Sequence, residues 1–392
     1  MKTTYKYLAL LVILPFAGRP QASLDSVIAA VQATNATLIV SRLQMDAEMK
    51  AARTGIYLPN PEVQFDYLWG DPASYGNRTD FGITQSFSFP SVYVQRSNQS
   101  VLLKTGASLK YLQKEREVIM KAKSAWIHIV GLNKLLTIFE HRIRLADEIA
   151  QQAKLQLSRG EINVIRYHHA QMEFVNLKME RTELEVQHST LQTQLTQLCG
   201  GKFIPVPDTA YPAISAYSMN EIMGYFAGTP SVKSLENEID VRHMDKNITV
   251  SEWLPKFKAG YYSEVVTGLR YQGIQTGISI PLWQNINSVK TADDQMKVAT
   301  AELDQMKSQE TARIVSLFNK RDKLAGQLQE IRSALLPVND LSLLKKALDA
   351  GEINISEFYY ECAVFYSAWF NLLKTEKELA MTEAELLYVA GR

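Results

Sequence analysis

The stretch Phe81-Gly82-Ile83-Thr84-Gln85-Ser86-Phe87-Ser88-Phe89 decides the fold. Its odd positions carry Phe81, Ile83, Gln85, Phe87 and Phe89, and its even positions carry Gly82, Thr84, Ser86 and Ser88. Successive side chains of a strand point to opposite faces, so this strand has one greasy face and one small, polar face. The pattern returns further along as Ile274, Thr276, Ile278 and Ile280 against Gly273, Gln275, Gly277 and Ser279. Upstream of each, Val63, Phe65, Tyr67 and Trp69, and then Phe257, Ala259 and Tyr261, alternate with mostly polar partners. Each run is about ten residues, the length a tilted strand needs to cross a bilayer. The expected lipid-facing set is Phe81, Ile83, Phe87, Phe89, Ile274, Ile278 and Ile280. A four-stranded sheet in lipid would leave its edge N–H and C=O groups unpaired, at several kcal/mol each, so closure needs further copies of the chain. Two chains would supply about 8 strands and three about 12, and the alternation alone admits both. A soluble β-sandwich edge on a helical protein is the competing reading of the same pattern.

Working outward, the chain proves to be a duplication. Gly160-Glu161-Ile162-Asn163 recurs as Gly351-Glu352-Ile353-Asn354, and Pro90 recurs at the same spacing as Pro281. Tyr57-Leu58-Pro59 matches Trp253-Leu254-Pro255 with five residues fewer before the next matched proline, the size of a loop that the first copy carries at Gly70-Asp71-Pro72-Ala73-Ser74-Tyr75-Gly76-Asn77. No proline lies between Pro90 and Pro205, and that gap is rich in Leu, Gln, Glu, Lys and Ala with apolar residues at helical spacing, such as Leu145, Ile149, Ala153 and Leu157. A helix from about Ser91 to Arg159 would run roughly 100 Å, end at Gly160 and return from about Asn163 to Cys199. The second copy repeats this around Gly351, with a kink expected at Pro337. The expected organisation is a signal peptide over 1–22, a first repeat over 23–200 with a β-hairpin at 60–89 and a helical tip at 160, a connector over 201–217, and a second repeat over 218–392 with a hairpin at 256–280 and a tip at 351.

The N-terminus indicates export. Lys2 and Lys6 precede an apolar run from Leu8 to Phe16, followed by small residues at Ala17, Gly18, Ala22 and Ser23, the layout of a secretory signal peptide cut near Ala22. No cysteine follows the run to take a lipid anchor, and no later stretch has the 18 apolar residues of a membrane helix, so a membrane role would have to use strands. The 392 residues include 42 basic and 41 acidic side chains, no surplus for neutralising a phosphate backbone, and nucleic acid is not an expected partner. Cys199 and Cys362 stand alone in their segments, which excludes a CxxC pair or a cysteine zinc site.

Catalytic signatures are missing: there is no HExxH, GxSxG, GxGxxG or Walker A sequence, and neither an enzyme nor a cofactor is expected. Adjacent His168 and His169 point about 100° apart on a helix and cannot share an ion. Met45 and Met49 at one-turn spacing read as packing, as does the aromatic group Phe358, Tyr359, Tyr360, Phe365, Tyr366, Trp369 and Phe370.

An exported chain with two membrane-length hairpins, each joined to a long antiparallel helical hairpin, resembles the TolC-like outer-membrane efflux proteins. The residues that carry the resemblance are Leu58-Pro59-Asn60-Pro61-Glu62, Gly82-Ile83-Thr84-Gln85-Ser86-Phe87 with Pro90, and the two Gly-Glu-Ile-Asn turns. The first two look most like the heavy-metal (CzcC-like) branch, from which Ser91-Val92-Tyr93 departs where Gly-Lys-Arg is common. The resemblance implies an α+β membrane protein: a trimeric 12-stranded outer-membrane β-barrel, four strands per chain, continued by a long periplasmic α-helical barrel of coiled-coil hairpins. It also implies a homotrimer working with a periplasmic adaptor (membrane fusion) protein and an inner-membrane pump of RND or ABC type. The tips that would meet the adaptor are Arg159, Gly160, Glu161 and Asn163, and Gly351, Glu352 and Asn354. In that family an acidic residue six positions after the second tip glycine helps narrow the periplasmic aperture, and that position is Glu357 here. The family's second acid, three positions on, is Tyr360, with Glu361 one beyond, and the first-repeat equivalent of Glu357 is Arg166. The constriction would therefore be built from Glu357, Glu361 and Arg166, either as an acidic ring or as Glu357 to Arg166 ion pairs. The implied function is the channel of a tripartite system exporting small molecules or metal ions; a tunnel for type I protein secretion, and a periplasmic coiled-coil adaptor or tether, are the alternatives.

Overall fold

The structure, a computed structural model, describes residues 20–212, 217–335 and 341–392. Most of the expected signal peptide and the expected kink at Pro337 lie outside the described residues. The first repeat contains α1 (Pro20–Thr34), α2 (Ala36–Ala51), β1 (Glu62–Trp69), β2 (Asn77–Phe87), α3 (Pro90–Ser158) and α4 (Val164–Leu198). The second contains α5 (Met219–Ala227), α6 (Pro230–Ser251), β3 (Lys256–Val266), β4 (Leu269–Ser279), α7 (Ser288–Leu335), α8 (Leu341–Asp349) and α9 (Ile355–Val389). No single helix among the described residues is long and apolar enough to cross a membrane.

Ahead of each hairpin the chain forms two helices rather than one. Between α5 and α6 the sequence Gly228-Thr229-Pro230 forces the break: proline disfavours a helical residue before it but suits a helix start, and the Thr229 hydroxyl caps Val232 N–H at 3.5 Å. Between α1 and α2, Asn35 turns its amide onto the Leu198 carbonyl at 2.7 Å while the Thr34 hydroxyl donates to the Cys199 carbonyl at 2.8 Å. These bonds satisfy the carbonyls that the C-terminal end of α4 leaves open.

The chain forms two compact units, and they do not follow the repeats. One takes Met1–Asn35, Ile119–Ala216 and Lys320–Ala384; the other takes Ala36–Val118, Tyr217–Asn319 and Glu385–Arg392. In the first, Ile149, Ala150 and Ala153 of α3 and Ala170 of α4 pack with Ile355, Phe358, Cys362 and Tyr366 of α9. Asn133 holds the connector by donating to the carbonyls of Val206 and Asp208, at 2.8 and 2.9 Å. Glu376 joins three helices through Lys134 at 2.6 Å and Arg332 at 2.7 Å.

The second unit has its own core of Ile222, Phe226, Val232, Leu303, Ile314, Phe318, Leu386 and Val389. It carries the one sheet found among the described residues, a four-stranded antiparallel meander in the order β1-β2-β3-β4. The β1–β2 connection contains a short 3₁₀ turn at Ala73–Tyr75, whereas Thr267 and Gly268, both with positive φ, close β3–β4 as a two-residue turn.

Burial raises the Glu383 carboxyl on α9 to about 7, against a smaller opposite pull from Arg321, and one carboxylate oxygen has no hydrogen-bond partner. A carboxyl whose folded pKa lies above its unfolded value of 4.5 favours the folded state most below that value, and the contribution is lost as pH rises through about 7. Thermal unfolding followed by circular dichroism should therefore show a Tm that falls between pH 5 and pH 7.5. In Glu383→Gln this part of the pH dependence should disappear.

Candidate functional site

The residues expected to face lipid lie on one continuous surface. Val63 is opposite Ile83 and Phe65 opposite Phe81. Ile83 is opposite Tyr261 and Phe87 opposite Phe257, and these continue to Ile274 and Ile278. Cross-strand neighbours on the same face are the contacts that fix a sheet's register; Phe87 and Phe257 stack with ring centres 5.7 Å apart. Phe81, Ile83, Ile274 and Ile278 are exposed, and Phe89 and Ile280, also exposed, lie just beyond the strand ends, next to Pro90 and Pro281. Exposed aromatic rings flank the surface, with Tyr67, Trp69 and Tyr75 at the loop end and Tyr57, Trp253 and Trp283 at the helical end. Amphipathic rings take such positions where hydrocarbon gives way to headgroups.

The opposite face is polar, and its register reveals a feature that residue order conceals. Asp66 lies opposite Asp80, and Asp80 opposite Glu264, so three carboxylates form a row across three strands. Arg78 answers two of them, its Nε 2.9 Å from Asp80 and 3.1 Å from Glu264, while Gln64 donates to Asp66 at 2.7 Å. Like charges placed opposite each other repel, and one guanidinium among three carboxylates leaves the row negative. Its one signal in the sequence is that each acid occupies a polar-face position in its own strand.

The two turns around Gly160 and Gly351, both in the first unit, have the same architecture. Gly160 and Gly351 adopt φ of 73° and 74°, the left-handed conformation that glycine accepts without strain. Each closes its helix with paired bonds, Gly160 N–H to Leu157 and Glu161 N–H to Gln156, then Gly351 N–H to Leu348 and Glu352 N–H to Ala347. Asn163 and Asn354 cap the helices that follow, accepting from Arg166 N–H and Glu357 N–H at 3.0 Å each. Arg159 reaches Glu161 at 3.8 Å.

The helix starts that follow the turns differ in their capping at the third helical position. Glu357 folds back to accept the Asn354 N–H at 2.8 Å and completes a capping box, whereas its counterpart Arg166 has no acceptor with which to return the bond. Glu357 is thus engaged with its own helix terminus. It remains exposed and shares a helix face with exposed Tyr360, Glu361 and Val364.

Several of the other residues considered from sequence make ring or core contacts. The His168 ring lies tilted against Tyr167, with centres 5.4 Å apart, and His169 meets Tyr359 edge to face. Phe358 and Tyr366 are buried in the α3–α9 core, where burial also pushes the Cys362 thiol up to about 12. Among the described residues no group of three His, Cys, Asp or Glu side chains is placed to hold a metal. A cleft of about 480 Å³ between α3, α4 and α9 has Leu132, Leu135, Phe139 and Phe370 among its lining, with Glu180 and Glu183 on α4 and Lys374 and Lys377 on α9.

No family model and no curated protein matches the sequence significantly. Solved structures do match the fold. A crystal structure of CusC, from work on folding and transmembrane channel formation, superposes with a TM-score of 0.78 at 12% identity, covering 94% of this chain and 92% of that one. The CmeC outer membrane channel of Campylobacter jejuni gives 0.75 at 12% identity, over 94% and 85% of the two chains. The outer membrane protein VceC of Vibrio cholerae gives 0.73 at 10% identity, over 94% and 96%. The chain has the TolC-like outer-membrane channel fold. On that fold the apolar sheet face and the two glycine turns are features of one architecture, although only the sheet was readable from periodicity alone.

The capping box separates the two possible roles of Glu357. Glutamine can fill its place in the box, so Glu357→Gln should keep the start of α9 intact, whereas Glu357→Ala should cost about 1 kcal/mol there. Amide hydrogen exchange over residues 355–358 would read the difference.

Proposed function

We propose that this chain is the outer-membrane subunit of a tripartite efflux system, three copies closing a 12-stranded barrel that continues into a periplasmic helical barrel. The observation that carries the reading is the sheet itself, apolar on one face, polar on the other, and open along β1 and β4. Such a sheet is stable in hydrocarbon only when its edges are paired. The solved structures that share the fold are themselves described as outer membrane proteins or channels. Further support comes from α4, where Ile165, Met172, Met179 and Val186 are exposed at seven-residue spacing, the pattern of a seam that packs against another helix. A coiled-coil adaptor or tether would have no use for lipid-length strands that alternate twice. The favoured cargo is small molecules or metal ions, taken from the periplasm or from an inner-membrane pump of RND or ABC type; a polypeptide tunnel is the alternative within the channel class.

In this assembly the polar sheet face lines the exit and the turns at Gly160 and Gly351 point into the periplasm, where Glu161 and Glu352 meet the adaptor. Glu357 and Glu361, with Arg166 on the alternate hairpins, surround the periplasmic aperture. Carboxylates gathered at a constriction favour cations, and the row formed by Asp66, Asp80 and Glu264 acts in the same sense at the other end.

Three measurements test the reading. The mature protein should fractionate with outer membranes and require detergent for release; recovery in a periplasmic wash would contradict it. Arg at Ile278 should cost about 2 to 4 kcal/mol in lipid, whereas Arg at Ser279, on the polar face, should mainly change conductance. Equal tolerance of the two would remove the barrel. In single-channel recordings Glu357→Gln should lower cation selectivity or raise conductance, because it removes the charge and keeps the cap.

A further inference from the structure

The strand junction that the chain makes within itself specifies the junction it must make with a neighbour. β2 is the second strand of the first repeat and β3 the first strand of the second, and they pair with Gln85 opposite Ala259, Ile83 opposite Tyr261 and Phe81 opposite Ser263. The repeat makes β4 the counterpart of β2, through Pro90 and Pro281, and β1 the counterpart of β3, through Pro59 and Pro255. Carrying the observed register across these correspondences sets Thr276 opposite Val63, Ile274 opposite Phe65, and Gln272 opposite Tyr67 of the next copy.

Two independent observations agree with this register. First, the matched prolines lie outside the strands, yet every derived pair joins an apolar-face position to an apolar-face position. A slip of one residue would set the two faces against each other. Second, the residues at the feet of the two free edges are more exposed than their counterparts on β2 and β3, the strands that are paired on both sides. Tyr57, just before β1, is 73% exposed against 38% for its counterpart Trp253, and Trp283, just after β4, is 72% exposed against 1% for its counterpart Val92. β4 itself is exposed at all of its positions, although it alternates Ile274, Thr276 and Ile278 as β2 alternates Ile83, Gln85 and Phe87.

We infer that β4 pairs antiparallel with β1 of the next copy in the register that sets Thr276 opposite Val63, and that Tyr57 and Trp283, at the feet of the two edges, are covered by that same junction. The inference rests on the barrel reading and goes beyond it, since a closed barrel does not by itself dictate which residues meet. The sealing aromatic is a tryptophan on the β4 side where the internal junction has a valine, so the junction between chains has the larger apolar anchor.

Cysteine cross-linking of the full-length protein in detergent tests the register. Cys199 and Cys362 are buried, and single-cysteine variants control for them. Oxidation of Thr276→Cys with Val63→Cys should produce covalent dimers and closed trimers about ten-fold faster than Ile274→Cys or Ile278→Cys with Val63→Cys, the pairs a two-residue slip would close. Light scattering of the same samples separates the two levels. A three-chain particle in which a slipped pair reacts fastest, or no pair reacts, overturns the register and leaves the barrel standing. A single-chain particle with no cross-link overturns both. For the foot of the junction, Trp283→Ala should lower the temperature at which SDS separates the chains and Trp283→Phe should restore most of it; an unchanged temperature in Trp283→Ala overturns that part.

Discussion

A backbone amide or carbonyl in hydrocarbon has no water to turn to, and each one left unpaired costs several kcal/mol. The two outer edges of a four-stranded sheet present such groups in two rows. The other properties of the sheet are those a sheet placed in lipid requires: the greasy face continuous across all four strands, the aromatic rings at both ends, and the small or polar residues on the opposite face. In water the same object would be a hazard. A long edge strand such as β4, bare on both faces and alternating isoleucine with small polar residues, invites uncontrolled pairing. Closure by further copies would remove the edges, and the β2–β3 junction inside each chain shows the pairing such a closure would repeat.

The helical region answers to different chemistry. No single described helix is long and apolar enough to cross a membrane, and the helices hold together through interlocked side chains, such as the α3–α9 core around Phe358 and the Lys134, Glu376 and Arg332 group. At the two turns the sequence repeat produces the same backbone, because glycine with positive φ and an asparagine cap are local requirements. The side chains at the third helical position break the symmetry. Glu357 completes a capping box at its own helix start and Arg166 does not, so the two turns are alike in path and unlike in capping and charge.

Much of this was legible in the sequence, and the exceptions share a cause. The strands were readable from Phe81 to Phe89 because a two-residue period survives without any tertiary information, and the glycine turns because their geometry is local. The break at Asn35 was missed because its reason lies at Leu198 and Cys199, far away in the chain. The acidic row was missed because register, not residue order, brings Asp66, Asp80 and Glu264 together. Glu357 was read for its charge at an aperture, while its bond to the Asn354 amide depends on the side chain turning back toward its own helix start. The two compact units each draw helices from both repeats, which no reading of the repeats as consecutive segments anticipates.

Closure of the sheet is most directly measured by hydrogen exchange at the outer edges. In liposomes, a closed barrel requires the amides of β1 and β4 to be protected as strongly as those of β2 and β3, since all four strands then have partners on both sides. Exchange of β1 and β4 amides within seconds, beside slow exchange in β2 and β3, would mean that the edges remain open and that the sheet does not span a membrane as a barrel.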